Sequence, residues 1–187
     1  MTSPYGLSPA SVPAVRRVVA GDWEQVRAAR LEALQDEAAP IAYLETYEAA
    51  AARPDEYWQE RTARSAAGSA VAQLVAIADA DAWVASVTGL REEPGTADWS
   101  GRPIDQLQVH VVGVWVRPDH RGAGLLARLV DELEAWAGDG GATRMRLLVH
   151  EHNARARAAY RKLGFSPTGV VVPLEAGNEL EMVRPLG

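Results

Sequence analysis

The chain has 187 residues, 48% of them hydrophobic and 24% charged, with a formal net charge of -6 and no cysteine. That length and balance suit one globular domain, and the missing cysteines exclude disulfides, thiolate nucleophiles and cysteine-bound metals. No run approaches the ~20 apolar residues of a membrane helix, and the start has no basic region followed by an apolar core, so a cytoplasmic protein without a membrane partner is expected.

The charge is uneven: residues 1–109 sum to -7, residues 110–168 to +3 and residues 169–187 to -2. A locally cationic segment inside an acidic chain suits an anionic ligand bound there better than nucleic acid along the whole surface, and no nucleic-acid partner is expected.

Residues 1–13 mix Ser, Pro and Gly without periodicity and are predicted to be a flexible tail before a single domain over 14–187. "AVRRVVA" (14–20) reads as a first strand. Asp22, with Gln25 three residues on, has the form of a capping box, and Trp23, Val26, Ala29, Leu31 and Leu34 make an apolar stripe, so a helix is predicted there. Residues 41–67 read as two helical pieces broken at Pro54, with Asp55 close to the start of the second. "SAVAQLVAIAD" and "AWVASVTGLREE" read as a β-hairpin, and "EPGTADWSGRPID" as a loop.

"QLQVHVVGVWV" (106–116) alternates and then turns wholly apolar, as a strand does when both faces are covered. Gly113 within it marks a bulge. A helix is predicted from Gly122 to Ala137, stopped by "GDGG"; "RMRLLVH" reads as a strand, "NARARAAYRKLG" as a helix, and "GVVVPLE" and "ELEMVRP" as two closing strands. The order β-α-α-β-β-β-α-β-α-β-β is an α/β mixture.

In "DHRGAGLLARL" (119–129) an arginine and two glycines stand where a buried strand turns into a helix. The first amides of a helix are unpaired and carry about half a positive charge, so they attract anions. Gly122 and Gly124 let the backbone approach a bulky ligand, and Arg121 adds a charge able to fork onto phosphate oxygens. The plain alternative is a turn that uses glycine only for its φ angles. A nucleoside-triphosphate loop needs Lys and then Ser or Thr where Leu125 and Leu126 stand. Ala127 fits the third place of a dinucleotide fingerprint, but a Rossmann domain would begin with such a unit rather than end with it.

Asn153 and Tyr160 are seven residues apart, a rotation of only about -20° on a helix, so both can face one cleft with Ala156, Ala159 and Leu163. Read alone, Asn153 is an N-cap and Tyr160 a core aromatic.

Taken together, "VGVWVRPDHRGAGLLARL", a strand, and "NARARAAYRKLGF" resemble the GNAT superfamily of N-acetyltransferases over about residues 106–166. The resemblance implies a GNAT-like acyl-CoA N-acyltransferase fold, a mixed sheet whose central strands splay around acetyl-CoA. The pantetheine arm would pair with Val114, Trp115 and Val116, beside a bulge near Gly113. The pyrophosphate would sit on the amides of Arg121, Gly122, Ala123, Gly124, Leu125 and Leu126. Arg121 and Gly124 match fixed places of the family's loop, and Leu126 departs from a place that is Gly or Ala in the family. Asn153 would hold the cosubstrate through its amide, and Tyr160 would be the general acid protonating the leaving thiolate.

An amine of pKa ~10.4 costs about 4 to 5 kcal/mol to present neutral at pH 7, so a base or water chain is needed. In histone-modifying members a carboxylate projects from the strand before the loop, and the register places His110 near that position. His110 is chemically able to be that base, a strand histidine satisfied by a neighbour is the plain alternative, and His150 is the reserve.

The acceptor site implied by the resemblance lies between the early helices and the sheet, which brings in Tyr43, Tyr47, Tyr57, Trp58, Glu45 and Glu48. The expected activity is direct acetyl transfer to a primary amine, of a small cationic molecule before a protein lysine or N-terminal amine. A non-catalytic acyl-CoA-binding module and a nucleotide-binding α/β domain are the competing classes. His150 and His152 are the nearest approach to a chelating pair, but a surface or active-site role suits them better and no metal is expected. No apolar strip identifies an interface, and a homodimer is left open.

Overall fold

Apolar alternation and two covered faces translate into one seven-stranded sheet in the computed structural model, which describes residues 12–187. The predicted N-terminal tail lies almost wholly outside the described residues. The strands are β1 (Ala14–Arg17), β2 (Val71–Ile77), β3 (Trp83–Glu92), β4 (Gln108–Val116), β5 (Arg144–His150), β6 (Ser166–Leu174) and β7 (Gly177–Pro185), in the spatial order β1-β2-β3-β4-β5-β7-β6. All neighbours are antiparallel except β4 and β5, which are parallel.

The helices are α1 (Trp23–Ala33), α2 (Tyr47–Ala51), α3 (Asp55–Ala66), α4 (Leu125–Asp139) and α5 (Ala154–Lys162). The two pieces broken at Pro54 are α2 and α3, so among the described residues three α-helices rather than the two of the expected order precede β2; the first piece is α-helical only from Tyr47 rather than from residue 41, and Pro54 is the residue before α3. One face of the sheet packs Val109, Val111, Met145, Leu147, Val149 and Met182 against Leu125, Leu129, Val130 and Leu133 of α4 and Tyr160 of α5. The other face, over β1–β4, packs Val75, Trp83 and Trp115 against Val26, Ala29 and Ala33 of α1 and Trp58 of α3.

Two helix starts differ from the sequence expectation. Asp22 makes no forward cap; its carboxylate turns back to the Val19 amide at 2.8 Å and to Arg16 at 2.6 Å, because a short 3-10 turn at Ala20–Asp22 precedes α1. The helix expected from Gly122 begins at Leu125, because Gly124 is left-handed at φ 78 and ends the loop rather than opening the helix.

The feature that positions the site is a parting of the central strands. β4 and β5 pair only through Gln108↔Arg144, Val109↔Met145 and His110↔Arg146, although β4 continues to Val116 and β5 to His150. Beyond His110 the two strands open into a cleft. Just past that point Gly113, at φ 61, sits in a bulge where Val87 of β3 stands opposite both Gly113 and Val114. The bulge adds local twist to β4, which helps to turn its far half away from β5.

Candidate active site

The cleft is a cavity of about 980 Å³ that runs between β4 and β5. Its walls are the open half of β4, the loop before α4, one face of α5, the end of β5, the β6–β7 hairpin and the segment between α1 and α2.

On β4 the edge facing the cleft is set by alternation. The Arg117 amide donates to the Val84 carbonyl at 2.8 Å, and Trp115 pairs with Ser86, so Trp115 spends its backbone groups on β3. Its indole lies in the α1/α3 core. All three residues expected to pair with a ligand line the cavity, but only Val114 and Val116 turn their backbone amide and carbonyl groups towards it. Their carbonyls are already held, Val114 by the Tyr43 hydroxyl and Val116 by Arg121 Nε, each at 3.0 Å, which leaves the two amides as the available groups.

At the loop, Gly122 and Gly124 have φ 79 and 78, and a Cβ built on either meets nothing within 4 Å. The protein itself leaves the space above them open, as an anion cradle at a helix N-terminus requires. Helical bonding starts with the Arg128 amide on the Gly124 carbonyl. The Leu125 and Leu126 amides thus belong to the unpaired first turn. The Leu126 side chain packs against the main core.

Arg121 departs from its expected part. Its amide donates to the Pro118 carbonyl at 3.3 Å, and its guanidinium is bound by Asp36 and by the Val116 carbonyl. The run of free amides therefore begins at Gly122, and the arginine fastens the loop to the segment after α1. Burial opposes the charge on Asp36, but the Ala38 amide, Arg121 and Arg155 together hold its carboxyl below the ordinary range. Arg155 and Lys162 on α5 also line the cavity and supply exposed positive charge there. Sequence reading passed over Asp36, Arg155 and Lys162 because each belongs to an ordinary solvated helix-end pattern.

Asn153, Ala156, Ala159, Tyr160 and Leu163 all line the cavity, in agreement with the helical spacing. Asn153 Oδ1 caps α5 by accepting from the Ala156 amide at 3.1 Å, so its amide nitrogen is the end left over. Tyr160 is buried edge-to-face against Phe165, with ring centroids 6.0 Å apart. Burial, with smaller contributions from Tyr43 and Glu179, pushes its phenol well above the ordinary range and keeps the proton on.

His110 stands at the apex of the cleft, buried, on the sheet face opposite the α4 core. Its Nδ1 lies 3.3 Å from Glu92 Oε1, without the alignment of a hydrogen bond, and the residue is part of the cavity lining. Glu92 also meets Gln108 at 2.6 Å and Arg146 at 3.0 Å. Arg146, 3% exposed, in turn binds Asp98 at 2.9 Å and Glu181 at 3.0 Å. Although burial opposes it, the neighbouring His110, Arg146 and Gln108 hold the Glu92 carboxyl below its ordinary range.

His150, the reserve base, has both nitrogens engaged. Nδ1 accepts from the His152 amide at 3.2 Å, which leaves Nε2 to donate to the Ala176 carbonyl at 3.0 Å. The ring fills the place of a side chain at Gly177, where a Cβ would stand 2.4 Å from Nε2. Among the described residues there is no group of three or more His, Cys, Asp or Glu that could hold a metal, and no helix is long and apolar enough to cross a membrane.

Of the early residues expected at an acceptor site, Tyr43 and Glu45 line the cavity; Tyr47, Tyr57, Trp58 and Glu48 do not. Trp58 is buried in the α1/α3 core instead. Arg30 lies 4.4 Å above the Tyr43 ring and pairs with Glu45 at 3.1 Å. Burial pushes the Tyr43 phenol up to about 12. Trp99 and Glu179, which sequence reading did not single out, also line the cavity.

The family model described as the Acetyltransferase (GNAT) family matches residues 28–165. A thialysine N-epsilon-acetyltransferase of Bos taurus is 32% identical over 66 residues, 35% of this chain and 36% of that protein. An uncharacterised N-acetyltransferase of Mycobacterium bovis is 35% identical over 85 residues, 44% of this chain and 54% of that one. The chain thus spans between about a fifth and about half of the length of the curated relatives it matches. The crystal structure of a GNAT superfamily phosphinothricin acetyltransferase from Sinorhizobium meliloti, in complex with AcCoA, has a TM-score of 0.71 at 20% identity, covering 95% of this chain and 90% of that one.

Proposed function

The chain belongs to the GNAT acetyltransferase family, and from that premise we propose that it transfers the acetyl group of acetyl-CoA directly to a primary amine of a small cationic molecule. The observation that carries this reading is the convergence, in the one cleft between β4 and β5, of the open glycine turn at 122–124, the free amides of Val114 and Val116, and the buried phenol of Tyr160.

In this reading the amides from Gly122 through Leu126 receive the pyrophosphate, helped by the α4 N-terminus and by Arg155 and Lys162. Asn153 offers its amide nitrogen. The amides of Val114 and Val116 receive the pantetheine arm and the thioester oxygen, where negative charge grows during attack. The amine nitrogen bonds to the carbonyl carbon, the carbon–sulfur bond breaks, and Tyr160 gives its proton to the leaving sulfur. Its raised pKa suits an acid that must stay protonated until a thiolate with pKa near 8.5 leaves. His110 accepts the amine's proton, with Glu92 behind it as orienter. No covalent enzyme intermediate is required, and the contribution of the protein is positioning and fixed dipoles.

A small cationic acceptor is favoured by the acidic N-terminal half and by Tyr43, Glu45 and Trp99, aromatic and acidic residues of the cavity lining. The test is thermal unfolding with and without acetyl-CoA on the parent and on Gly124→Glu, followed by thiol release across an amine panel. Ligand at about 100 times its dissociation constant adds roughly 2.7 kcal/mol, so a clear upward shift in the parent, absent in the variant, is expected. A folded parent that does not shift at millimolar acetyl-CoA would sink the reading.

A further inference from the structure

The face of the sheet turned away from α4 carries an unusual polar row over β5 and β7. Registers β5–β7 place His150 beside Glu179 and Leu148 beside Glu181, and period-2 alternation puts Arg146, His150, Glu179 and Glu181 on that one face. The two glutamates are two residues apart on the same strand, and their surroundings differ sharply. Glu181 is buried and fully used: it accepts from Arg146 at 3.0 Å, from Thr168 at 2.9 Å, and pairs with Arg102 at 3.4 Å. Glu179 is only partly buried, lines the cavity, and among the described residues has no hydrogen bond or ion pair to its carboxylate.

A carboxylate set on a strand paired on both sides, facing a cavity and left without a partner, is a fixed negative charge waiting for a cation. Its position tells which part of a ligand it meets. His110 is level with Arg146, and Glu179 is level with His150, four residues further along β5. At the strand rise this is roughly 13 Å, too far for both groups to serve the same nitrogen. Trp99 adds an exposed aromatic wall to the cavity, and its loop is tied to this face by the adjacent Asp98, whose carboxylate binds Arg146, the arginine that also binds Glu181. Aromatic faces and carboxylates together favour ammonium groups.

We propose that Glu179, with Trp99 at the rim, binds a second cationic group of the acceptor, so that the preferred substrates are amines carrying another positive charge several bonds from the reacting nitrogen. This rests on the acceptor half of the cleft being the amine site of the proposed acetyltransferase. Burial, opposed only by the weaker influence of His150, holds the Glu179 carboxyl above its ordinary range, and an ammonium beside it would favour the charged form.

The test is calorimetric binding of octane-1,8-diamine and of octylamine to the full chain in the presence of CoA, on the parent and on the near-isosteric Glu179→Gln. The expected result is diamine binding weakened at least tenfold by the substitution, with octylamine and CoA affinities unchanged within about twofold. Equal weakening of both amines, or none, would overturn the proposal. A second measurement on the parent alone guards against a misfolded variant: 8-aminooctanoate, whose far end is anionic, should bind at least tenfold more weakly than the diamine, and equal affinity overturns the proposal. Because the readout is binding, absence of thiol release with any amine would count against the acetyltransferase reading and leave the Glu179 result to be judged by itself.

Discussion

Asp36 and Arg121, 85 positions apart in sequence, are bound side chain to side chain beneath the glycine turn, and the Asp36 side chain is only 7% exposed. The pair fixes the loop to the body of the protein while the loop's amides stay free. Arg121 is thereby a strut, and its charge is largely spent before any phosphate arrives.

Asp36→Asn and Arg121→Gln are therefore expected to act through the same contact. Each should weaken acetyl-CoA binding and lower stability by roughly 1 to 3 kcal/mol. The double variant should fall short of the sum by more than 0.5 kcal/mol, as contacting residues do. Urea unfolding and acetyl-CoA titration of the four proteins check this. Strict additivity would show that Arg121 reaches the ligand independently of Asp36.

Tyr160→Phe removes one hydroxyl from a buried, well-packed ring. The expected loss is about 10² to 10⁴ in kcat, the range for a general acid, with the KM for acetyl-CoA within about twofold of the parent. Since the phenol is held above its ordinary range, the parent should show no loss of kcat from deprotonation of this acid up to about pH 10. A falling limb near pH 8 that vanishes in the phenylalanine variant would contradict this.

For His110→Ala the sign with pH is the informative part. Without a base the enzyme depends on the fraction of amine already neutral, which rises tenfold per pH unit below a pKa of ~10.4. Log kcat/KM for the amine should then climb with a slope near one from pH 7 to about 9, narrowing the gap to the parent. Glu92→Gln, which keeps the shape beside Nδ1 but removes the charge, should fall between the two. A pH-independent deficit would mean that His110 serves packing alone.

Acid stability should report on Asp98. Burial opposes its charge, but hydrogen bonds from Ser100 and the Arg102 amide and the field of Arg146 bring its carboxyl down to about 2 from 3.8. A depressed carboxyl stabilises the fold above its unfolded pKa, and that stabilisation is lost as pH falls through the folded value. The linkage amounts to about 2 kcal/mol, present above pH 4 and gone near pH 2. Urea midpoints measured from pH 5 to 2 should fall more steeply for the parent than for Asp98→Asn.

Much of this molecule was legible because the signals are local. The run 106–116 gave a central strand, the Asn153–Tyr160 spacing gave one face of a helix, and Gly113 gave a bulge, each from a period or a residue whose conformational range is set by its own backbone. The resemblance carried by 106–166 and the family model over 28–165 agree for the same reason: a phosphate loop and its flanking elements are written in contiguous residues.

What only the tertiary structure decided was who partners whom. Nothing near Arg121 in sequence reveals Asp36, and nothing near Glu179 reveals that Glu181, two residues on, binds Arg146 and Arg102 while the Glu179 carboxylate has no hydrogen bond or ion pair among the described residues. His150 looked as free as His110 until the β6–β7 hairpin brought the Ala176 carbonyl and the bare backbone of Gly177 against its ring. Periodicity determines which face of an element is buried, because that follows from the rise and rotation of the chain itself. The pairing of charges across that buried face depends on strand register and on loops tens of residues away, so the same kind of side chain ends up tied into a network or left facing the cleft according to what the fold sets beside it.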